Sequence, residues 1–393
     1  MAQSPSFSSL SQSSQLFRSS NPVVSWESIA ACPVSELSRR LEAIRSQFGA
    51  RLLILGHHYQ SDEVLAHTDL RGDSFQLSRE ASRRDDVQAI LFCGVHFMAE
   101  TADVLANTPE KIAARQGRRI PVCLPDLTAG CPMADFATAD QVERCWRDLS
   151  DLVDIEEITP ITYVNSTAAV KSFCGQHGGL ACTSSNAMEV LHWAFARRAK
   201  VLFVPDQHLG RNTLRKMGVS DQEMVLWDPT QPLGGNTEEA IQTAKAILWY
   251  GCCEVHQQMV PSDLARIRRE IPGIKIGVHP ECDQAVVGAA DVSGSTGDLI
   301  RVVDQASPED RWAIGTERTL VQRLASKYPG RVWDLLPAED PRGWCRTMSQ
   351  ISLAKLTWCA ENLAAGVPVH VVTVPETIAL GAYLALERML ATK

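Results

Sequence analysis

No C-x-x-C pair occurs anywhere in the 393 residues of this chain, although it carries 12 cysteines. That absence disfavours zinc ribbons and ferredoxin-type clusters, which draw their ligands from closely spaced thiols. No apolar run approaches the roughly 18 uninterrupted residues of a membrane span. No segment has the apolar core of a secretion signal either, so a disulfide framework is not expected and most thiols should be reduced. A basic surplus is also missing. The net charge is −8 and the pI is near 5.7, which leaves no electrostatic footprint for nucleic acid or an anionic membrane. Acidic balance does not exclude an anionic substrate, because helix N-termini supply local positive potential. Hydrophobic residues at 45% and charged residues at 21% are ordinary globular values.

The first twenty residues, MAQSPSFSSLSQSSQLFRSS, are Ser-rich, hold no acid and contain one arginine. They read as part of a disordered tail over 1–25, with too little apolar surface to fold. An organelle transit segment shares that signature. The expected location is the cytoplasm, with a plastid as the alternative.

What the chain does have is a programme written three times. A strand-like run ends in polar residues: LLILGHHYQ, ITYVNST and IKIGVHPEC. A small-hydroxyl turn then opens a helical pattern: GDSFQL, TSSNAMEV and GSTGDL. A second apolar strand follows, in AILFCGVHF, KVLFVPDQHLG and RWAIGTE, and then a cysteine before a helix-forming segment: Cys131, Cys253, Cys345. His57 to Ser74 is 17 residues, Tyr163 to Ser184 is 21 and His279 to Thr296 is 17. A period of this kind means one supersecondary unit used repeatedly. Strands alternating with helical patterns argue for parallel sheets with helices on both faces. The expected fold is α/β: three pseudo-symmetric αβα domains around a central active site. They are placed at 26–139, 140–258 and 259–365, with 366–393 a terminal helix packing back on the first. The stretch 212–250 in the middle unit reads as a detour containing a surface loop, DPTQPLGGNTEE.

In parallel α/β sheets ligands bind at the carboxyl ends of strands. His57 and Tyr59, Tyr163 and Asn165, and His279 and Glu281 occupy those ends. A single histidine or tyrosine there is more often a satisfied structural group, but three equivalent ends bearing acid/base or amide groups point to chemistry. The hydroxyl turns hold Asp73-Ser74, Thr183-Ser184-Ser185 and Ser295-Thr296. They read either as N-caps or as anion sites built from free N–H groups and hydroxyls. Cys93, Cys123, Cys182 and Cys359 read as small buried hydrophobes. The three cysteines that close the repeats are different: a helix N-terminus is expected to lower each thiol pKa and favour the thiolate. Three such thiolates on one axis fit a 4Fe–4S cluster with an open iron. A cluster-bearing redox or iron sensor binding a small dicarboxylate uses the same triad, and a metal-free lyase needs a Schiff-base lysine, for which Lys171 is the nearest candidate.

The ordered motifs HHYQSDEV, GDSFQLS, FCGVHFMAETA, LPDLTAGCPMAD, TYVNSTAAVK, CTSSNA, PDQHLGRN, GCCEVH, GVHPEC, GSTGD and IGTE resemble the quinolinate synthase family of NAD biosynthesis. The resemblance implies one 4Fe–4S cluster held by Cys131, Cys253 and Cys345, with Cys252 a neighbour and not a ligand. It implies condensation of iminoaspartate with dihydroxyacetone phosphate, releasing phosphate and water, and coupling to an enzyme that produces iminoaspartate. Substrate contacts then fall on His57, Ser74, Tyr163, Val164, Asn165, Ser184, His279, Pro280, Glu281 and Thr296. The catalytic groups are His57, Tyr59, Tyr163, His279 and Glu281.

Overall fold

The computed structural model describes residues 23–392. The Ser-rich stretch up to residue 22 lies outside the described residues, and with it the tail and transit readings. Three sheets organise the rest. Strands β1 (Leu52–His57), β2 (Leu70–Gly72), β3 (Ala89–Cys93) and β4 (Val122–Cys123) form the first. Strands β5 (Ile158–Tyr163), β6 (Leu180–Cys182), β7 (Lys200–Val204), β8 (Met224–Trp227) and β9 (Ala246–Trp249) form the second. Strands β10 (Lys275–Val278), β11 (Val292–Ser293), β12 (Trp312–Gly315) and β13 (Val332–Asp334) form the third. All pairings among these strands are parallel.

The repeat is visible in the strand order. The runs β4-β3-β1-β2, β9-β7-β5-β6 and β13-β12-β10-β11 are equivalent. Strands β1, β3, β5, β7, β9 and β12 are buried along their whole length, as parallel strands covered on both faces must be. The first and second sheets share one continuous core, in which Ile54, Leu91, Ile161 and Phe203 are fully buried. The third sheet keeps separate clusters, one around Ile276 and one around Ile314. Cys93, Cys123, Cys182 and Cys359 are buried within the shared core, as small hydrophobes.

Three segments sit differently from the sequence reading. The detour 212–250 is not only a loop: it supplies β8 and β9, with β8 added at the sheet edge. Helix Leu353–Ala364, read as the end of the third unit, packs instead on helix Val34–Phe48 and strand β3 of the first. Arg40 and Glu361 pair there at 2.5 Å, and the Trp358 indole N–H donates to the Val24 carbonyl at 2.8 Å. After it, a strand β14 (Val371–Val372) runs antiparallel along β4. The C-terminal helix Glu376–Ala391 packs mainly on helix Ala168–Gln176 and β6 of the second unit, and less on helix His96–Ala106 of the first. The crossing needs glycine on both sides. A Cβ at Gly175 would stand 1.9 Å from the Gly381 carbonyl oxygen, and one at Gly381 would stand 2.3 Å from Ser172 Oγ. A helix's own periodicity shows that it has an apolar face, not which sheet that face covers.

Candidate active site where three sheets meet

Each sheet delivers polar groups from the carboxyl end of an interior strand. β1 ends in His57 and β5 in Tyr163, while β10 stops one residue short of His279. One cavity collects His57, Tyr59, Ser74, Tyr163, Asn165, Ser184, His279, Glu281 and Thr296, together with Cys131, Cys253 and Cys345. Two of the expected contacts stay behind its wall. The Val164 N–H is spent on the Cys182 carbonyl at 2.7 Å, and the Pro280 carbonyl accepts the Asn212 amide at 2.9 Å.

The first and third units use the same local device. The Tyr59 N–H donates to His57 Nδ1 at 3.2 Å, and the Glu281 N–H donates to His279 Nδ1 at 3.3 Å. With Nδ1 accepting, a neutral ring carries its proton on Nε2. Burial holds both rings neutral, pushing His57 down to about 3, with His58 and His279 adding to the effect. Burial likewise pushes His279 down to about 3. For Glu281 burial works upward, but the rings of His279 and His256 outweigh it and hold the carboxyl down at about 2. Burial raises the Tyr59 and Tyr163 phenols well above 10, with the Glu281 charge adding to it. At neutral pH Glu281 is therefore a carboxylate, the strand-end imidazoles of His57 and His279 are neutral, and the Tyr59 and Tyr163 phenols keep their protons.

His256, absent from the sequence-derived set, is central. Its ring stacks on His279 with centroids 4.3 Å apart and planes 16° apart, and its Nδ1 lies 2.6 Å from Glu281 Oε2. Its Nε2 meets Thr316 Oγ1 at 3.0 Å, and the same hydroxyl lies 3.1 Å from the Tyr59 hydroxyl. The signal was available: His256 follows Cys253 by three residues in GCCEVH. The hydroxyl turns also sort themselves. Asp73 and Ser295, not Ser74 and Thr296, cap their helices, accepting from the N–H of Gln76 and Asp298. Ser74 and Thr296 are the first helical residues, and Thr296 Oγ1 lies 3.0 Å from the Tyr59 hydroxyl. In the middle unit Asn186 stands at the cap position of helix Ala187–Phe195 without a side-chain cap bond. Asn165 Oδ1 is buried at the cavity without a partner, an acceptor left for a ligand.

The thiols do not follow the helix-dipole expectation. Cys131 heads a single turn, Pro132–Asp135, while Cys253 and Cys345 precede the 3₁₀ turns His256–Gln258 and Met348–Gln350. One turn carries little macrodipole, and burial prevails. Burial pushes Cys131 up to about 12 and raises Cys253 and Cys345. Against burial, each thiol is met by backbone N–H groups: Ala134 and Met133 at Cys131, His256 at Cys253, Met348 and Thr347 at Cys345. The charged forms would also repel one another across the cavity. A bound cation reverses that balance and deprotonates a coordinating thiol. Three soft donors on one cavity wall, each with N–H groups aimed at its sulfur, fit an iron–sulfur group. Cys253, His256 and Glu281 also place ligand atoms within 4.8 Å of one another. Lys171 is excluded as a Schiff-base former at this cavity. It is fully buried, does not line the cavity and donates its ammonium to the Ser166 carbonyl.

Comparison with known proteins agrees with this geometry. Residues 39–391 match the NadA family, described as quinolinate synthetase A protein. The quinolinate synthase of Rhodopirellula baltica is 52% identical over 359 residues, covering 91% of both chains. That of Corynebacterium glutamicum is 47% identical over 357 residues, covering 91% of this chain and 87% of its own. That of Geobacillus thermodenitrificans is 46% identical, covering 91% of this chain and 93% of its own. With the family match running through all three sheets and all three cysteines, the chain belongs to the quinolinate synthetase A family of enzymes.

Proposed function

We propose that the chain is a quinolinate synthase that condenses iminoaspartate with dihydroxyacetone phosphate and releases phosphate and water. The observation that carries the reading is the convergence of Cys131, Cys253 and Cys345 on the same cavity as Glu281, the two strand-end histidines and Asn165. Cys131, Cys253 and Cys345 would hold one 4Fe–4S cluster, whose open iron supplies Lewis-acid polarisation of a substrate oxygen or nitrogen.

The residues divide the remaining work. Both substrates are anions, yet among the described residues lining the cavity there is no lysine or arginine. Neutral donors take their place: the hydroxyls of Ser74, Ser184 and Thr296, and the free N–H groups of the helix starts. The ionised Glu281 accepts a proton from carbon or hydroxyl during isomerisation, condensation and dehydration. His57 and His279, protonated on Nε2, donate to oxygens of the intermediate, and the Tyr59 and Tyr163 phenols supply protons. Asn165 Oδ1 accepts from the imino or amino nitrogen.

Among the described residues no helix is long and apolar enough to cross a membrane. We place the enzyme in the cytoplasm, supplied by an enzyme that forms iminoaspartate. The test is anaerobic turnover: purified protein given both substrates should yield quinolinate and free phosphate in equal amounts. Bound substrate without product, at full iron and sulfide content, would favour the sensor.

A further inference from the structure

The helix after the third strand of each unit reaches across to the strand-end turn of the next unit. Helix His96–Ala106 follows β3, Gln207–Lys216 follows β7 and Arg318–Lys327 follows β12. From the first, Glu100 Oε2 accepts the Ala168 N–H at 2.9 Å, where the Tyr163–Asn165 turn of the second unit enters its helix. From the second, the Asn212 amide donates to the carbonyls of Pro280 and Cys282 at 2.9 Å each. These flank Glu281, whose own carbonyl accepts Gln257 Nε2 at 2.8 Å. Three consecutive carbonyls of the third unit are thus held by amides of the second. From the third, Arg323 donates to the His58 carbonyl at 2.8 Å and to the Gln60 carbonyl, on either side of Tyr59 in the first unit. Asn212 and Arg323 hold the same place in their helices, and Glu100 is one residue earlier in its own.

We infer that Glu100, Asn212 and Arg323 form a closed ring of positioning residues, each fixing the catalytic turn of the neighbouring unit. The inference rests on the catalytic reading of Glu281 and Tyr59. The physical reason is geometric. The three turns belong to three separate sheets, and no strand ladder joins those sheets. Catalytic groups must nevertheless keep their mutual distances to a fraction of an ångström. A donor that bridges the carbonyls on both sides of a reacting residue fixes its backbone without touching substrate. Asn212 is buried, so both its N–H groups are committed to this task. Gln257 also ties the Glu281 turn to a cysteine loop, its own N–H donating to the Cys253 carbonyl at 3.0 Å.

The experiment is a pair of crossed double-mutant cycles on the anaerobic, cluster-loaded enzyme, with iron content and kinetics measured for each variant. Asn212→Ala and Arg323→Ala should each keep full iron content and lower kcat tenfold or more, with KM for both substrates changed less than threefold. Asn212→Ala should add nothing once Glu281→Gln is present, yet multiply with Tyr59→Phe. Arg323→Ala should show the reverse pairing, because a positioning residue acts only through the group it positions. Where Asn212→Ala fails to fold, the partly exposed Gln257→Ala takes its place in the same cycle. Unchanged kcat, or effects that multiply regardless of partner, would overturn the ring while leaving the synthase reading intact. Full turnover in Glu281→Gln and Tyr59→Phe alone would overturn both the catalytic reading and the ring. Absence of product from the wild type would strike the synthase reading itself.

Discussion

Ser185 and Asp73 join the second and first units: the Ser185 hydroxyl donates to Asp73 Oδ2 at 2.8 Å, while Asp73 Oδ1 accepts the Gln76 N–H at 2.9 Å. The third unit closes on the same point, since a Cβ at Gly297 would lie 3.2 Å from Asp73 Oδ2. One carboxylate therefore caps a helix and marks where the three hydroxyl turns converge. Ser185→Ala removes only the bridge and should cost about 1 kcal/mol of stability. Asp73→Ala removes bridge and cap together and should cost about 1–3 kcal/mol. Equal costs in denaturant titration would mean that the cap contributes nothing.

The cysteines should separate cleanly. Cys131→Ala, Cys253→Ala and Cys345→Ala should each lose the brown colour, with iron and sulfide falling well below the about four of each that a cubane holds. Cys252→Ala should keep both. Cys252 does not line the cavity, although it is the immediate neighbour of Cys253. Bleaching by Cys252→Ala with retention in Cys253→Ala would shift the assignment by one residue.

Because Asp73 and Ser295 do the capping, Ser74→Ala should leave the melting temperature nearly unchanged, and Thr296→Ala should lower it only by the loss of its bond to the Tyr59 hydroxyl, worth about 1 kcal/mol. Their kcat/KM should instead fall tenfold or more, about 1.4 kcal/mol of transition-state binding, with Ser184→Ala behaving alike. Ser295→Ala provides the contrast and should lower stability by about 1 kcal/mol. Lower melting temperatures and unchanged kinetics for Ser74→Ala, Ser184→Ala and Thr296→Ala would assign those hydroxyls to stability alone.

Lys171 gives a pH prediction. Burial pushes its ammonium down to about 8, partly offset by Glu100 and nearby cysteines, whereas an unfolded lysine titrates near 10.4. Between those values the unfolded chain binds the extra proton, so stability rises with pH across about 8 to 10.4, and the penalty is complete below about 8. Relative to Lys171→Met, the wild type should gain up to about 3 kcal/mol over that window. A stability difference that stays flat from pH 7.5 to 10.5 would show that the ammonium is well solvated or fully paired.

Much of this was legible in the sequence because it is local. The apolar runs ending in His57, Tyr163 and His279 declare interior parallel strands, and the similar spacings of 17, 21 and 17 residues tie them to the hydroxyl turns. What stayed hidden depends on partners far away in the chain. Strands β4 and β14 have two residues each; β4 is held between β3 and β14, and β14 is held by the edge of β4. Helix Leu353–Ala364 has an apolar face with no address written on it. The thiol shifts inverted because the helices after the cysteines are single turns, a length that sequence pattern resolves poorly. His256 was passed over because its role comes from Thr316 and Glu281, brought to it by the third sheet.

The pairing of β14 with β4 has a consequence for synthesis on the ribosome. The open edge of β4, at Val122 and Cys123, finds its partner only when Val371 and Val372 emerge, some 250 residues later. At roughly 5–20 residues per second, the first sheet waits on the order of 10–50 s with a bare strand edge and an uncovered apolar face. Exposed edges and faces of that kind recruit foreign strands. The first sheet is thus completed only after the third unit has been made, and the second unit later still, by helix Glu376–Ala391.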